Sequence, residues 1–137
     1  MSTGAAIRVL QNGETLVCIV QHGDGMPESL GIGLAKFLAP LRVVNGLPMD
    51  RTNIVNGIEC LAATIIKELK DGPGGIYIYP HNYNLMNEDY LYEVSINTEN
   101  QIVMSCFVVG MKDGLEPVVL NVPPAQFETA YESYCSQ

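Results

Sequence analysis

The alternation of apolar and polar positions predicts a β-hairpin at the start of the chain. Residues 7–10 and 15–21 are β-rich runs, and the dipeptide Asn12-Gly13 lies between them. Asn and Gly tolerate the positive φ angles of a tight hairpin turn. We therefore expect these two runs to pair as neighbouring antiparallel strands.

Two helices are expected after the hairpin. The first begins near Ser29 and runs to about Leu38. The second shows the clearest periodicity in the chain, because its apolar residues recur on one helical face through four turns. These residues are Ile54, Val55, Ile58, Leu61, Ala62, Ile65, Ile66 and Leu69. We expect Thr52 or Asn53 to cap this helix and the glycine-rich run 71–75 to end it.

Strand-like alternation returns in the second half of the chain. The runs are 76–79, 89–96, 102–109 and 118–122. Two prolines then open a terminal helix. Strands before and after a helix pair favour an α+β fold with an antiparallel sheet of about five or six strands, two central helices on one face and a short C-terminal helix. A length of 137 residues suits one ligand-binding domain over 1–137.

The charge balance limits the classes of partner. Fifteen acidic and seven basic residues give a net charge of −8, which repels nucleic-acid polymers and anionic membrane surfaces. No run approaches the roughly 20 apolar residues of a membrane span, and the first residues lack the pattern of a signal peptide. We expect a cytoplasmic protein without a nucleic-acid or membrane partner. Backbone N–H groups and a few basic side chains could still hold a phosphate locally.

The four cysteines give no sign of a metal or disulfide framework. Cys18, Cys60, Cys106 and Cys135 are widely scattered, and no C-x-x-C pair occurs among them. We expect most of them to be small buried apolar residues.

The loop after the second strand carries the first candidate chemistry. His22 and Asp24 lie two residues apart between a strand end and a helix start, where an imidazole base and an orienting carboxylate could act. In the simpler interpretation Asp24 and the neighbouring glycines only build the turn. His81 and Glu88 could join them in a metal site, but no two of these residues have helical ligand spacing. Because no recognised nucleophile motif is present, we favour a binding protein without a cofactor over an enzyme.

The segment 76–93 combines five tyrosines with three asparagines and a histidine. Aromatic faces stack nucleobases, and amides bind their edges or a ribose. Alternation places Tyr77 and Tyr79 on one face of a strand, and Tyr90 and Tyr92 on one face of another, so the rings could also form a cross-strand ladder with a structural role. Both interpretations remain open, since the polar loop is longer than a hairpin needs.

Basic residues are few, and one of them has a favourable position for a phosphate. Arg51 precedes the long helix and could add its charge to the positive end of that helix. Lys112 lies in a glycine-flanked turn before the last strand. The simpler interpretation of Arg51 is an ordinary solvated loop charge.

Four motifs, spread in order over about residues 16–96, resemble a family of small phage-encoded proteins. They are Gln21-His-Gly-Asp-Gly-Met-Pro-Glu-Ser-Leu-Gly, Asn56-Gly-Ile-Glu-Cys-Leu-Ala-Ala, Gly72-Pro-Gly-Gly-Ile-Tyr-Ile-Tyr-Pro and Tyr90-Leu-Tyr-Glu-Val. The chain is similar to the first type of Thoeris anti-defence sponge. This resemblance implies a protein that is not an enzyme. It would bind cyclic ADP-ribose isomers, and in some members cyclic oligonucleotides, and keep that immune signal from its effector.

The resemblance also implies an oligomer with ligand pockets where subunits meet, either a dimer or a hexamer built from dimers. The pocket of the family pairs an aromatic residue that stacks adenine with a polar residue on the next segment, and Tyr77 and Asn87 match these positions. Tyr77 departs from the expected phenylalanine, although its ring face is equivalent. A basic residue is implied near the C-terminal strands, where Lys112 matches.

The hypothesis is a sponge that holds a cyclic nucleotide by stacking and by hydrogen bonds from amides and loop groups. The expected ligand-binding residues are Tyr77, Asn87, Asp24, His22, Tyr79, Arg51 and Lys112. The alternatives are a small hydrolase or isomerase that uses His22 and Asp24, and an acidic inhibitor that binds another protein.

Overall fold

The computed structural model describes residues 2–110 and 114–137. In these residues the strands are β1 (Gly4–Gln11), β2 (Glu14–His22), β3 (Arg42–Val44), β4 (Ile54–Asn56), β5 (Ile76–Tyr79), β6 (Tyr90–Ile96), β7 (Ile102–Val109) and β8 (Leu115–Val122). The α-helices are α1 (Ile32–Leu38), α2 (Gly57–Leu69) and α3 (Phe127–Cys135). A π-helical turn, Pro27–Gly31, leads into α1, and a 3₁₀ turn, Pro124–Gln126, leads into α3.

Six of the strands form one mixed sheet in the order β5-β2-β1-β6-β7-β8, and β3 pairs with β4 separately. The fold is α+β, as expected. The prediction of a purely antiparallel sheet is wrong, because β1 and β6 run parallel, with Ile7 opposite Tyr92. The cause lies in residues 80–89, which return from the end of β5 to the Gly4 end of the sheet, where the Asp89 N–H donates to the Gly4 carbonyl at 2.8 Å. As a result β6 starts at the same end as β1.

The two faces of the sheet bury different clusters because side chains alternate along each strand. One cluster joins the sheet to the helices and contains Ile7, Val9, Ile19, Tyr92, Leu34, Leu38, Leu61, Ile65 and Phe127, among others. The opposite face carries a smaller buried cluster of Ala6, Cys18, Val20 and Leu91. Tyr79, Tyr83 and Leu85 pack against that smaller cluster. Residues 80–89 therefore cover part of the face that lies away from the main core.

The local predictions succeed where one short segment decides the structure. The β1–β2 hairpin is confirmed, with Asn12 at a φ of 53° and Gly13 at 83°. Helix α1 ends at Leu38 and α2 ends at Leu69, as predicted. Ser29, the expected start of α1, lies inside the π-helical turn, which has no side-chain cap.

The predicted start of the long helix is wrong. Residues 54–56 form the strand β4, which pairs in parallel with β3, and α2 begins only at Gly57. The φ of Gly57 is +83°, which breaks the helical path at that residue. Val55 is buried in the main core although it lies in the strand. The apolar periodicity therefore continues into β4, because Val55 is buried in the same core as the helix residues.

The tyrosines do not form the cross-strand ladder that was one of the two interpretations of the segment 76–93. Tyr77 and Tyr79 do share a face, since they pair with Val20 and Cys18. Tyr92 lies on the opposite face, in the main core. Two strands, β2 and β1, separate β5 from β6, so the two tyrosine pairs do not meet across neighbouring strands.

The four cysteines are all unpaired. Cys18 and Cys106 are buried, as expected, whereas Cys60 is half-buried and Cys135 is exposed. Over the described ranges, 2–110 and 114–137, none of the helices combines the length and the apolar character needed to cross a bilayer.

Candidate functional site

A cleft with a volume of about 280 Å³ opens at the end of the sheet where β1 begins and β2 ends. We call it the His22 cleft. It is lined by Ser2, Gly4, His22, Gly23, Tyr79, Tyr83, Asn87 and Glu88. Three of the predicted ligand-binding residues, His22, Tyr79 and Asn87, therefore meet at one cavity.

Backbone pairing brings these distant segments together. Gly4 is the register partner of His22 across β1 and β2. The His22 N–H donates to the Gly75 carbonyl at 2.9 Å, which fixes the turn before β5. The bond between Asp89 and Gly4 returns residues 80–89 to the same edge. Main-chain hydrogen bonds thus bring the lining segments of the cleft together.

An aromatic pair stands beside the cleft. The rings of His22 and Tyr77 have their centroids 4.7 Å apart and an angle of 35° between their planes. Tyr77 is 43% exposed, and His22 is also exposed. Both rings are therefore partly open to solvent, but His22 lies against one side of Tyr77, and Tyr77 is not among the described residues that line the cleft.

Lys70 is a member of this site that sequence reasoning missed. Its ammonium nitrogen lies 5.6 Å from the centre of the Tyr77 ring, at the distance of a cation–π contact. The same nitrogen donates to the carbonyls of Gly74 and Ile76 at 3.0 and 2.9 Å. The glycine-rich turn after α2 folds back against Lys70. The sequence feature that could have indicated this contact is the run of glycines between Lys70 and β5.

Glu88 and Tyr83 form the polar wall of the cleft. The Tyr83 hydroxyl lies 3.1 Å from both carboxylate oxygens of Glu88, and the Met86 N–H donates to Oε1 at 3.0 Å. Glu88 is only 9% exposed. Burial, followed by the hydrogen bond to Glu88, raises the pKa of Tyr83 to about 12. At neutral pH Tyr83 is therefore a neutral donor.

A second aromatic contact, between Tyr79 and Tyr83, packs against this wall. The rings of Tyr79 and Tyr83 meet edge to face, with centroids 4.5 Å apart and planes at 76°. This arrangement is a favoured geometry for aromatic pairs. It holds the Tyr83 ring in place while its hydroxyl is bound to Glu88.

Asp24 acts as a turn residue in the structure. Its φ of 52° lies in the left-handed region, which Asp and Asn adopt more readily than most residues. Its carbonyl accepts a hydrogen bond from the Gln21 amide at 3.2 Å. Asp24 is exposed and is not among the residues that line the cleft. The geometry supports the simpler interpretation, in which Asp24 builds the turn and does not orient His22.

The remaining predicted residues lie elsewhere. Arg51 is exposed in the loop between β3 and β4. Those two strands adjoin Leu10 and Gln11, at the end of β1 opposite to Gly4, so Arg51 does not join the His22 cleft of its own chain. Lys112 lies outside the described residues. Where the structure describes the chain, no group of three or more His, Cys, Asp or Glu residues could hold a metal ion.

Comparison with known proteins leaves the chemistry of the cleft to be inferred from its own residues. No protein-family model, curated protein or solved structure matches this chain.

Proposed function

We propose that this chain is an anti-defence sponge, which binds a cyclic nucleotide immune signal such as a cyclic ADP-ribose isomer and holds it unaltered. The observation that carries the proposal is the meeting of His22, Tyr79, Asn87 and Glu88 at one open cleft, with the Tyr77 ring tilted against His22 beside it. Aromatic faces and fixed polar groups are what a purine nucleotide needs for recognition.

The charges of the site assign an orientation to the ligand. Glu88 is a buried acceptor, so it suits the donor groups of the ligand, which are the amino group of adenine and the ribose hydroxyls. A phosphate would be repelled there. The basic side of the site lies at Tyr77, where Lys70 approaches the ring. The base and ribose therefore enter the cleft, and the phosphates lie towards Lys70.

The size of the cleft favours a site that two subunits share. A volume of about 280 Å³ lies at the lower end of small-molecule pockets, which span roughly 300–1,000 Å³. This space suits one base and its ribose. A cyclic dinucleotide-like ligand needs further walls, and a second copy of the chain would supply them in the oligomer that we propose, a dimer or a hexamer built from dimers.

Calorimetric titration with cyclic ADP-ribose tests the proposal, with AMP as the comparison ligand. Tyr77→Ala and Asn87→Ala should each weaken binding about tenfold, since one base stack contributes about 1–3 kcal/mol and one hydrogen bond about 0.5–1.5 kcal/mol. Asn45→Ala, at an exposed position outside the cleft, is the matched control and should bind as the parent chain does. Equal affinity in all four proteins would contradict the proposed site.

A further inference from the structure

A second cavity lies on the sheet face away from the main core. It has a volume of about 350 Å³ and is lined by Arg8, Asn84, Leu85, Val109 and Leu115. We call it the Arg8 groove. One wall comes from residues 80–89 and the other from the ends of β7 and β8 that flank their connection. Among the residues that the structure describes, the two cavities have no lining residue in common.

Arg8 is a half-buried cation whose hydrogen-bonding capacity is only partly used. Its Nη2 donates to the Tyr83 carbonyl at 3.1 Å. Its Nε is sealed from solvent and has no hydrogen-bond partner among the residues that the structure describes. Buried polar groups of proteins are nearly always paired. Because Nε is sealed from solvent, an anion in the groove would pair with the guanidinium through its Nη groups.

An acidic residue, Glu93, lies beside Arg8 on the same face of the sheet. Glu93 is the register partner of Arg8 in the parallel β1–β6 pair. Burial raises the pKa of Glu93, and the charge of Arg8 opposes that rise. Among the described residues, the hydrogen bond of the Arg8 guanidinium goes to the Tyr83 carbonyl and not to the Glu93 carboxylate. The positive charge at the groove therefore stays available to an anion.

The walls of the groove determine what kind of anion fits. Leu85, Val109 and Leu115 present apolar surface, and Leu115 is 42% exposed. Asn84 adds one amide that can donate or accept. We propose that the Arg8 groove binds a small organic anion, whose carboxylate or phosphate group pairs with the Arg8 guanidinium while an apolar body of a few carbons lies against these three side chains. This site is separate from the proposed sponge cleft and does not depend on it.

Titration of the ¹⁵N-labelled protein with hexanoate tests the proposal, because it reports the Arg8 Nε–H signal and the backbone amides of Val109 and Leu115 directly. We expect these signals to shift together and to saturate. Phenyl phosphate, tested in parallel, distinguishes a phosphate from a carboxylate preference. Neutral 1-hexanol lacks the charge and inorganic phosphate lacks the apolar body, so each should bind at least tenfold more weakly than the better acid.

Substitutions assign the binding to the groove. Arg8→Gln should weaken binding of the better acid at least tenfold. Leu115→Asp places a like charge on the exposed wall and should have a similar effect, which keeps the test valid if Arg8→Gln does not fold. Leu120→Asp is the matched control, since Leu120 is a comparably exposed leucine of β8 outside the groove.

Glu93→Gln removes the neighbouring carboxylate and should strengthen acid binding severalfold. Failure of both acids to bind, equal binding of 1-hexanol, or equal effects of Leu115→Asp and Leu120→Asp would overturn the proposal. None of these results bears on cyclic nucleotide binding at the His22 cleft, so the two proposals fail separately.

Discussion

At the scale of single residues, Glu88 determines the polar character of the His22 cleft. A carboxylate can accept about four hydrogen bonds, and two donors contact Glu88: the Tyr83 hydroxyl, which is equidistant from both carboxylate oxygens, and the Met86 N–H. Acceptor capacity therefore remains for a donor group of the proposed ligand. The buried carboxylate is held by partners from its own loop, so the cleft keeps its shape without a ligand.

The hydrogen bond between Glu88 and Tyr83 predicts a pH dependence. Unfolded tyrosine ionises near pH 10, whereas Tyr83 keeps its proton to about pH 12 in the folded chain. This contribution to the free energy of unfolding is fully present below pH 10 and is lost as the pH rises to about 12. Glu88→Gln should lower the pKa of Tyr83 but leave it above 10, because burial, the larger cause, remains.

Ultraviolet titration of tyrosinate measures this shift, and Tyr83→Phe identifies which transition belongs to Tyr83. An unchanged Tyr83 transition in Glu88→Gln would show that the carboxylate does not control this phenol.

Gly25 is a residue for which a single methyl group should be costly. A Cβ at this position would lie 2.7 Å from the Ala5 Cβ and 3.0 Å from the Ala5 nitrogen. Neither Ala5 atom can move without a shift of the strand backbone. Gly25→Ala should therefore lower the free energy of unfolding by about 1–3 kcal/mol. Urea denaturation measures the change. Gly114→Ala has no described residue within 4 Å of its Cβ and should stay within about 0.5 kcal/mol of the parent chain.

At the scale of elements, the entry to α1 is fixed by close packing against two rings. A Cβ at Gly31 would lie 3.0 Å from Phe127 of α3 and 3.0 Å from Tyr92 of β6. The Tyr92 hydroxyl donates to the Gly25 carbonyl at 2.8 Å within the core. Strand β6, the π-helical turn and α3 therefore meet at one point, and this contact ties the loop after His22 to the core.

Two glycine-to-alanine substitutions, one in the π-helical turn and one in α1, test whether close packing fixes this entry. Gly31→Ala should lower the thermal midpoint, because the new methyl group presses on both rings and costs about 1–3 kcal/mol. Gly33→Ala has nothing within 4 Å of its Cβ and should stabilise the chain by about 0.5–1 kcal/mol, since alanine restricts the unfolded chain more than glycine does. Destabilisation of equal size in both variants would contradict the packing account.

Elements that one segment determines could be predicted from the sequence, and those that depend on distant pairing could not. The turn at Asn12 follows from its own φ preference, and the end of α2 follows from the glycines after Leu69. The strand β4 depends on β3 as a partner, which no local pattern reveals. The parallel β1–β6 pair depends on the return of residues 80–89 across the sheet, and alternation within β6 is the same for either direction.

The candidate site shows the same division. His22, Tyr79 and Asn87 were expected ligand residues and meet at the cleft. Lys70 could not be assigned to the site from the sequence, because its approach to Tyr77 requires the fold of the glycine turn. Arg51 was a candidate for phosphate binding because it precedes the long helix. In the structure the strand β4 follows it, and it lies towards the end of the sheet opposite to the cleft.

At the scale of the whole molecule, residues 80–89 link the two cavities. The Tyr83 hydroxyl faces Glu88 in the His22 cleft, while the Tyr83 carbonyl accepts from Arg8 at the groove. The two proposed sites therefore share one connecting segment, residues 80–89.

The net charge predicts how salt affects the proposed oligomer. Each chain carries a formal charge of −8, so copies repel one another at low ionic strength. Raising the salt concentration from about 0.02 to about 0.5 M shortens the Debye length several-fold, and self-association should strengthen. Light scattering after size exclusion measures the mass at each concentration. A monomer that binds cyclic ADP-ribose at every salt concentration would contradict a site shared between subunits.

The most direct test of the central claim is to identify the ligand after capture and release. The protein is incubated with cyclic ADP-ribose, freed of unbound nucleotide, denatured by heat and analysed by mass spectrometry with chromatography. We predict that the released nucleotide has the mass and retention time of the starting compound, and that the double variant Tyr77→Ala/Asn87→Ala releases none. Release of linear ADP-ribose or another altered product would contradict the claim that the cleft holds its ligand without chemistry.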